Sequence, residues 1–316
     1  MGRELALVCG DGGIKGGFIA GAVSTLLDRF PNQMSNVKTI VASSASVGSM
    51  CYYLSHGLRH PGREIWLQAL SSRKFIQYDS IRSIYARRPI YDIDYLVYNI
   101  FKKDFPLDVD AIRNSPIDFY FPVQNYETGD VEYFSNRGTG SFIRGTKVIK
   151  IHDMREYDIY DLIKAASAAP FVYDKCMKIG NSTYIDAANL EPYALDLPAL
   201  RGKHKIVVVS KMDFSMRRNL YYYLSGALWP FLVSPFKPYK LKAEIYFQYM
   251  RKPAILERLD MLCEILQYCD DLIFIKPIKK LGGNTDNSAG VLESNFRHGE
   301  AVILERFREI AEFFDR

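Results

Sequence analysis

Leu5-Ala6-Leu7-Val8-Cys9-Gly10-Asp11-Gly12-Gly13-Ile14-Lys15-Gly16-Gly17 is a run of five apolar residues followed by a glycine-rich loop. A short apolar run bounded by glycines is typical of a buried strand, here Leu5–Cys9. Apolar residues then recur at helical spacing over Phe18–Phe30, and Pro31 follows. The pattern predicts a strand, a tight turn and a helix.

A second unit of the same kind comes next in the chain. Val37–Ala42 is predicted as a second buried strand, the small residues Ser43–Ser46 follow it, and Met50–Leu54 continues as a predicted helix. Two successive strand, turn and helix units indicate an α/β fold with parallel strands in a central sheet.

Further elements are predicted along the rest of the chain, and no internal repeat or low-complexity linker separates them. We therefore expect one domain, residues 1–316, with a core over residues 4–212 and a C-terminal helical cap, residues 213–316, packed on it. The predicted helices are Glu64–Leu70, Ile93–Phe101, Tyr157–Ala169, Ala254–Tyr268 and Gly299–Phe314. The predicted strands are Ile117–Gln124 and Val131–Phe134, joined by the turn Glu127–Asp130, then Tyr184–Asp186, Ile206–Ser210 and Leu272–Ile275.

The composition indicates a globular protein, since 48% of the 316 residues are hydrophobic and 24% are charged. The net charge of +5, without a basic stripe, gives no support for nucleic-acid binding. Five cysteines without a C-x-x-C pair favour a reduced interior over disulfides or a zinc site. No secretory signal is recognised, so we expect a cytoplasmic protein, with peripheral membrane contact as one expectation. The sequence does not indicate an oligomeric state.

One long apolar stretch bears on that membrane contact. Asn219–Phe236 is almost uncharged, is marginal in length for a membrane span and is interrupted by Pro230 and Pro235. We interpret it as a buried or interfacial segment rather than a span, with Tyr221–Trp229 able to contact a lipid interface. The flanking cations are Arg217, Arg218, Lys237 and Lys240.

The glycine loop is the first candidate for chemistry. Glycines allow backbone N–H groups to approach a ligand closely, the following helix N-terminus favours negative charge, and Lys15 adds a cation. Gly10–Gly17 matches neither the P-loop pattern nor the dinucleotide-binding pattern. The loop therefore suits a phosphate or a developing oxyanion, and the alternative is a plain structural turn.

The serine turn after the second strand is the next candidate. A nucleophile elbow turns sharply from strand to helix and needs small flanking residues, usually as G-x-S-x-G. Ala42 and Ser46 replace the two glycines around Ser44, which lies at the expected step beyond the strand. A competing register makes Ser46 the nucleophile, and a simple helix cap remains the alternative to both.

A carboxylate that could serve the serine follows a later strand. Asp186 comes after Tyr184-Ile185 and before the small Ala187-Ala188, so it can reach a hydroxyl and act as general base. The alternative is an ordinary turn aspartate. A serine triad would instead need a later histidine, for which only His204 and His298 qualify by order. We expect His204 to lie in a solvated turn and all five histidines to be non-catalytic.

The order of these three features resembles the patatin-like phospholipase family. Its loop is G-G-G-x-R-G, its elbow is G-x-S-x-G-A, and its base lies in D-G-[GA]. Asp11–Gly16 matches that loop with Lys15 in place of arginine, and Ser44 and Asp186 match the nucleophile and base. Lys164–Pro170 resembles the family's A-S-x-A-x-P helix end. The resemblance covers roughly residues 4 to 210.

The resemblance implies a three-layer α/β/α fold with a mainly parallel central sheet. It further implies a serine-dependent lipid acyl hydrolase, of phospholipase A, lysophospholipase or carboxylesterase type, whose substrate is a lipid or acyl ester and which needs no cofactor and no metal. Ser44 and Asp186 would form the dyad. The oxyanion hole would be formed by Gly12, Gly13, Ile14 and Lys15.

Three positions depart from the family pattern. Ala42, Ser46 and Ala187 each add a Cβ where the family has glycine, which we expect to strain the elbow. A catalytically weak or inactive protein that binds lipid or another protein is therefore the alternative function.

Overall fold

The computed structural model describes residues 3–57, 62–76, 90–169, 173, 175–188, 190–191, 193–211, 269–283 and 286–316. In this part of the chain a ten-stranded mixed sheet forms the centre of the molecule. The strands are β1 (Leu5–Cys9), β2 (Val37–Ala42), β3 (Asp118–Asn125), β4 (Val131–Ser135), β5 (Gly140–Arg144), β6 (Lys147–Asp153), β7 (Met177–Ile179), β8 (Ser182–Asp186), β9 (His204–Val208) and β10 (Leu272–Ile275).

Helices connect and cover these strands, and short 3₁₀ turns lie between several of them. The described helices are α1 (Gly16–Arg29), α2 (Pro31–Met34), α3 (Ala45–His56), α4 (Gly62–Leu67), α5 (Tyr95–Asp104, wound as a π-helix), α6 (Val109–Arg113), α7 (Ile159–Ser167), α8 (Ala289–Glu305) and α9 (Phe307–Asp315).

The sheet order is β10-β9-β1-β2-β3-β4-β6-β5, and β8 pairs with both β3 and β7. The four strands from β10 to β2 run parallel, and β3 runs parallel to β2. Cys9 is in register with Ala42 on one side and with Val208 on the other. The loops after β1, β2 and β9 therefore leave the sheet at the same edge, where ligands bind in open α/β sheets.

Both faces of β1 are buried, as in parallel sheets covered by helices on each side. Leu5 and Leu7 belong to the large core that includes α1, α3 and α8. Ala6 and Val8 face a second core, which contains the 3₁₀ turn Pro198–Leu200. The predicted α/β fold, a mainly parallel sheet with helices on both sides, is confirmed.

Helix α8 packs closely along α1 because two glycines face the neighbouring backbone. A Cβ at Gly21 would lie 2.1 Å from the carbonyl oxygen of Phe296, and a Cβ at Gly299 would lie 2.1 Å from that of Phe18. Neither distance is sterically possible without movement of the backbone. The two helices thus form one layer behind the glycine loop that precedes α1.

The strands Leu5–Cys9, Val37–Ala42 and Leu272–Ile275 have the predicted bounds. The single helix predicted over Gly299–Phe314 is wrong, since the chain forms two helices that meet at Arg306. The strand predicted over Ile206–Ser210 begins two residues earlier, at His204.

Two predicted segments, Ala254–Tyr268 and Asn219–Phe236, lie outside the described residues. Within the described part of the chain, none of the helices combines the length and hydropathy that crossing a membrane requires.

Candidate active site

The glycine loop and the serine turn lie side by side at the carboxyl edge of the sheet. The Ser43 N–H donates to the Cys9 carbonyl, 3.0 Å away, which extends the pairing of β1 and β2 by one residue. A Cβ built on Gly16 would lie 3.5 Å from the Cβ of Ala45. The first residues of α1 and α3 are therefore neighbours, and both helix N-termini point their partial positive charge towards this edge.

Ser44 adopts a backbone conformation that side chains rarely take. Its φ is 53° and its ψ is −128°, immediately before α3 begins at Ala45. Among the described residues other than glycine, only Ser44 and Ala194 have a positive φ. Strain of this kind costs about 1–3 kcal/mol and concentrates at functional sites. A nucleophile elbow requires a sharp, strained turn from strand to helix, and the backbone of Ser44 is compatible with one.

The Ser44 hydroxyl meets a buried carboxylate. Ser44 Oγ donates to Asp186 Oδ2 at 2.6 Å, across 142 residues of sequence. Asp186 ends β8 with only 3% of its surface exposed, and its Oδ1 accepts the Ala188 N–H at 2.8 Å. The backbone amide fixes one carboxylate oxygen and leaves the other directed at the serine. The structure thus brings the two predicted dyad residues into direct contact.

Ser46, the alternative nucleophile, is placed differently. Its Oγ donates to the Gly10 carbonyl at 2.6 Å, and only 1% of the residue is exposed. The hydroxyl of Ser46 therefore holds the start of the glycine loop against α3. This contact gives Ser46 a structural task that the sequence pattern did not indicate.

Three positions where glycine was expected from the family resemblance accommodate their side chains. Ala42 and Ala187 are buried, and neither they nor Ser46 have a positive φ. The backbone strain that we expected from these substitutions is therefore not located at them. It is located at Ser44 itself.

The glycine loop is anchored at Asp11, near its start. Ser210 Oγ donates to the Asp11 carbonyl at 2.6 Å, and Lys211 Nζ lies 2.9 Å from Asp11 Oδ1. The residues that hold Asp11 thus follow β9, the strand on the other side of β1. Gly13 has a φ of 51°, a conformation that glycine adopts without steric cost.

The amides predicted for the oxyanion hole differ in their partners. The Lys15 N–H donates to the Gly12 carbonyl at 2.9 Å, inside the turn itself. The Ile14 N–H donates to the hydroxyl of Tyr91, whose oxygen would lie 3.3 Å from a Cβ built on Gly13. The loop thus places Gly12, Gly13 and Ile14 beside the serine turn, with the hydroxyl of Tyr91 next to them.

A second layer of polar contacts supports the loop that follows Asp186. Ser43 Oγ donates to the Glu191 carbonyl at 3.2 Å, and the Glu191 carboxylate pairs with the Arg144 guanidinium. Burial raises the pKa of Glu191, while the charge of Arg144 opposes that rise. Arg144 also contacts Asp196 Oδ1 at 2.5 Å. The edge hairpin β5–β6 is therefore linked to the elbow.

The histidines that a triad would require lie elsewhere. His204 begins β9, at the amino edge of the parallel strands and opposite Ser44, and its Nε2 lies 3.0 Å from Arg3 Nη1. His298 is buried, and its Nε2 accepts the Ile278 N–H at 3.1 Å. Within the described residues, no cluster of three or more His, Cys, Asp and Glu side chains could hold a metal ion.

Several residues around the site carried no signal that a motif search could find. Tyr91, Arg144 and Glu191 belong to no recognised pattern, and their contacts depend on strands and loops far apart in sequence. Lys211 is the partner that could most easily have been predicted from the sequence. It follows a clearly predicted strand, at the edge of the sheet where the glycine loop was expected.

No known protein family matches the chain, and no curated protein matches it in sequence. Among solved structures, it is similar to the crystal structure of VipD from Legionella pneumophila, with a TM-score of 0.44 and 11% sequence identity. The similarity covers 96% of this chain and 67% of VipD. A likeness of this degree bears on neither activity nor substrate.

Proposed function

We propose that this protein is a serine acyl hydrolase that cleaves lipid acyl esters, such as those of phospholipids or lysophospholipids. One observation carries the proposal: Ser44 Oγ lies 2.6 Å from the buried Asp186 carboxylate, at a strained turn beside a glycine loop. A serine is a weak nucleophile unless a base accepts its proton, and this contact supplies the base.

In the proposed reaction, Ser44 attacks the ester carbonyl and Asp186 accepts the hydroxyl proton. Asp186 then returns that proton to the leaving alcohol, and water releases the acyl group from Ser44 with Asp186 as base. The N–H groups of Gly12, Gly13 and Ile14 stabilise the tetrahedral oxyanion. Each such donor contributes about 3 kcal/mol to transition-state stabilisation.

The lipid substrate class is supported by the resemblance of the loop, elbow and aspartate motifs to the patatin-like phospholipase family. Peripheral contact with a membrane belongs to the same proposal. Its sequence support, the stretch Asn219–Phe236, lies outside the described residues. Sedimentation with liposomes that contain anionic lipid tests this contact, and failure to sediment would remove it from the proposal.

A fluorophosphonate probe tests the dyad, because only an activated serine reacts quickly with it. We expect a probe adduct on Ser44 by mass spectrometry, and hydrolysis of a medium-chain p-nitrophenyl ester. Ser44→Ala and Asp186→Asn should lose both activities. Ser46→Ala tests the alternative nucleophile: its hydroxyl contacts the Gly10 carbonyl and not Asp186, so the probe adduct should still form on Ser44 in this variant.

Two outcomes of these experiments would contradict the proposal or its residue assignment. If the folded wild-type protein takes up no probe and hydrolyses no ester above the blank, the alternative of a non-catalytic lipid- or protein-binding protein is favoured. An adduct on Ser46 in place of Ser44 would retain the activity and overturn the residue assignment.

A further inference from the structure

The hydroxyl of Tyr91 touches the glycine loop at the amides proposed to bind the oxyanion. The Ile14 N–H donates a hydrogen bond to the phenol oxygen. That oxygen would also lie 3.3 Å from a Cβ at Gly13, so it is adjacent to both residues. An acceptor from the protein itself thus occupies one of the amides proposed to bind the substrate's oxygen.

Tyr91 is held at this position by its own surroundings. It is 6% exposed and forms an isolated antiparallel bridge with Ile76, and the Asp92 N–H donates to the Phe75 carbonyl at 2.8 Å. The rings of Phe75 and Tyr91 pack with their centroids 5.5 Å apart. Burial raises the pKa of Tyr91 well above its ordinary value, so the group is a neutral phenol at physiological pH.

One N–H directs its hydrogen at one strong acceptor, so the phenol and a substrate oxyanion compete for the Ile14 amide. Hydrogen bonds to a charged acceptor are roughly twice as strong as those to a neutral one. The oxyanion therefore wins once its charge has developed, whereas the uncharged ester carbonyl of the substrate has no such advantage. The competition therefore weakens binding of the neutral ester carbonyl and raises the barrier to attack by Ser44.

We propose that Tyr91 is an internal competitor for the oxyanion hole, whose hydroxyl occupies the Ile14 amide in the resting protein and leaves it as the tetrahedral intermediate forms. This inference rests on the proposed function. According to the inference, the Tyr91 hydroxyl slows the reaction of Ser44. No sequence motif indicates this role.

Tyr91→Phe tests the inference, since it removes the hydroxyl and keeps the ring against Phe75. We expect the rate constant for fluorophosphonate labelling of Ser44, and kcat/KM for the p-nitrophenyl ester, to rise roughly two- to tenfold, the value of one ordinary hydrogen bond. Tyr95→Phe is the matched control, because the Tyr95 hydroxyl faces Ser72 Oγ at 3.4 Å. Its rates should equal those of wild type.

An unchanged or lower rate in Tyr91→Phe, with Ser44 still labelled, overturns the inference and leaves the proposed function intact. A lower rate would mean that the phenol donates to the oxyanion. Absence of labelling in the wild type and in every variant overturns both.

A second measurement needs no variant. Hydrogen exchange of the Asp92 amide should become faster once Ser44 carries a phosphonate, because the phosphonyl oxygen displaces Tyr91 from the loop. Equal exchange before and after labelling overturns the inference as well.

Discussion

Ser43 Oγ donates a hydrogen bond to the carbonyl oxygen of Glu191, 3.2 Å away, and so links the residue before the elbow serine to the loop after Asp186. The carboxylate of the same Glu191 pairs with Arg144 on the edge hairpin. One residue therefore connects the hairpin to the proposed nucleophile. We therefore expect the Arg144–Glu191 ion pair to support the loop that follows Asp186.

Replacing Arg144 with methionine should destabilise the protein. The variant leaves the Glu191 carboxylate buried without its cation, a loss that costs about 3 kcal/mol for buried pairs. Urea denaturation measures the free energy of unfolding. Lys147→Met is the control, because the Lys147–Asp130 pair is exposed, with side chains 68% and 44% accessible, and exposed pairs contribute below about 1 kcal/mol. Equal losses in the two variants would contradict a supporting role for Arg144.

Gly13→Ala should lower stability more than Gly145→Ala does. Both glycines have a positive φ, of 51° and 60°, so an alanine at either costs roughly 1–2 kcal/mol of backbone strain. Only at Gly13 does the added Cβ approach another group, the Tyr91 hydroxyl at 3.3 Å. The difference in unfolding free energy between the two variants isolates that contact.

A double variant tests the origin of this difference. Adding Tyr91→Phe to Gly13→Ala removes the crowded hydroxyl and should recover part of the excess loss. The losses of unfolding free energy in the two single variants are added and compared with the loss in the double variant. If the double variant is no more stable than this sum predicts, Tyr91 is not the group that the new Cβ contacts.

The strands and turns that carry Ser44 and Asp186 could be predicted from the sequence. Val37–Ala42 is rich in β-branched residues, and the small residues after it leave room for a sharp turn, which favoured Ser44 while Ser46 stayed the alternative. Asp186 taken alone reads as an ordinary turn aspartate, and only its order after the glycine loop and the serine turn made it a candidate base. The hydrogen bond between Ser44 and Asp186, at 2.6 Å, joins residues 142 positions apart. It could not be predicted without the order of the strands in the sheet.

The partners of the site could not be predicted, for a physical reason. Arg144 lies on β5, a strand whose sequence GSFIR alternates too weakly to indicate burial, since its outer face is exposed. Tyr91 reaches Ile14 through packing against Phe75 and pairing with Ile76. Neither contact follows from periodicity or composition, because both are decided by which distant segments the fold places side by side.

His298→Ala should reduce stability without reducing hydrolysis by the folded protein. The His298 ring accepts hydrogen bonds from the N–H groups of Ile278 and Lys279, and losing a buried acceptor costs roughly 1–3 kcal/mol. Burial lowers the pKa of His298, with the charge of Lys279 adding to the effect. Because the folded state favours the neutral ring, its contribution is present above about pH 6.5 and is lost as the pH falls.

His204→Ala is the companion measurement, since His204 lies at the opposite edge of the sheet from Ser44. Ester hydrolysis per folded molecule should equal that of wild type in both histidine variants. A large loss of turnover in either of them, with the fold retained, would restore a serine–aspartate–histidine triad.

Asp94→Asn should lower the free energy of unfolding at neutral pH and change it little at acidic pH. Burial opposes ionisation of Asp94, but hydrogen bonds and charges from Lys164 and Lys175 outweigh it and lower its pKa to about 2. The folded pKa is below the unfolded value of about 3.9, so the contribution is present above that value and is lost as the pH falls towards 2. Solvent screening at a side chain 30% exposed reduces the contribution to about 1 kcal/mol.

Urea denaturation of wild type and Asp94→Asn between pH 6 and pH 3 checks the Asp94 contribution. The gap in unfolding free energy should be widest at pH 6 and should narrow as the solution is acidified. Asp270→Asn is the control, because Asp270 is 93% exposed in its pair with Arg316 and should contribute little at any pH. If the difference in unfolding free energy between wild type and Asp94→Asn stays constant across this range, the charge of the Asp94 carboxylate does not contribute to stability.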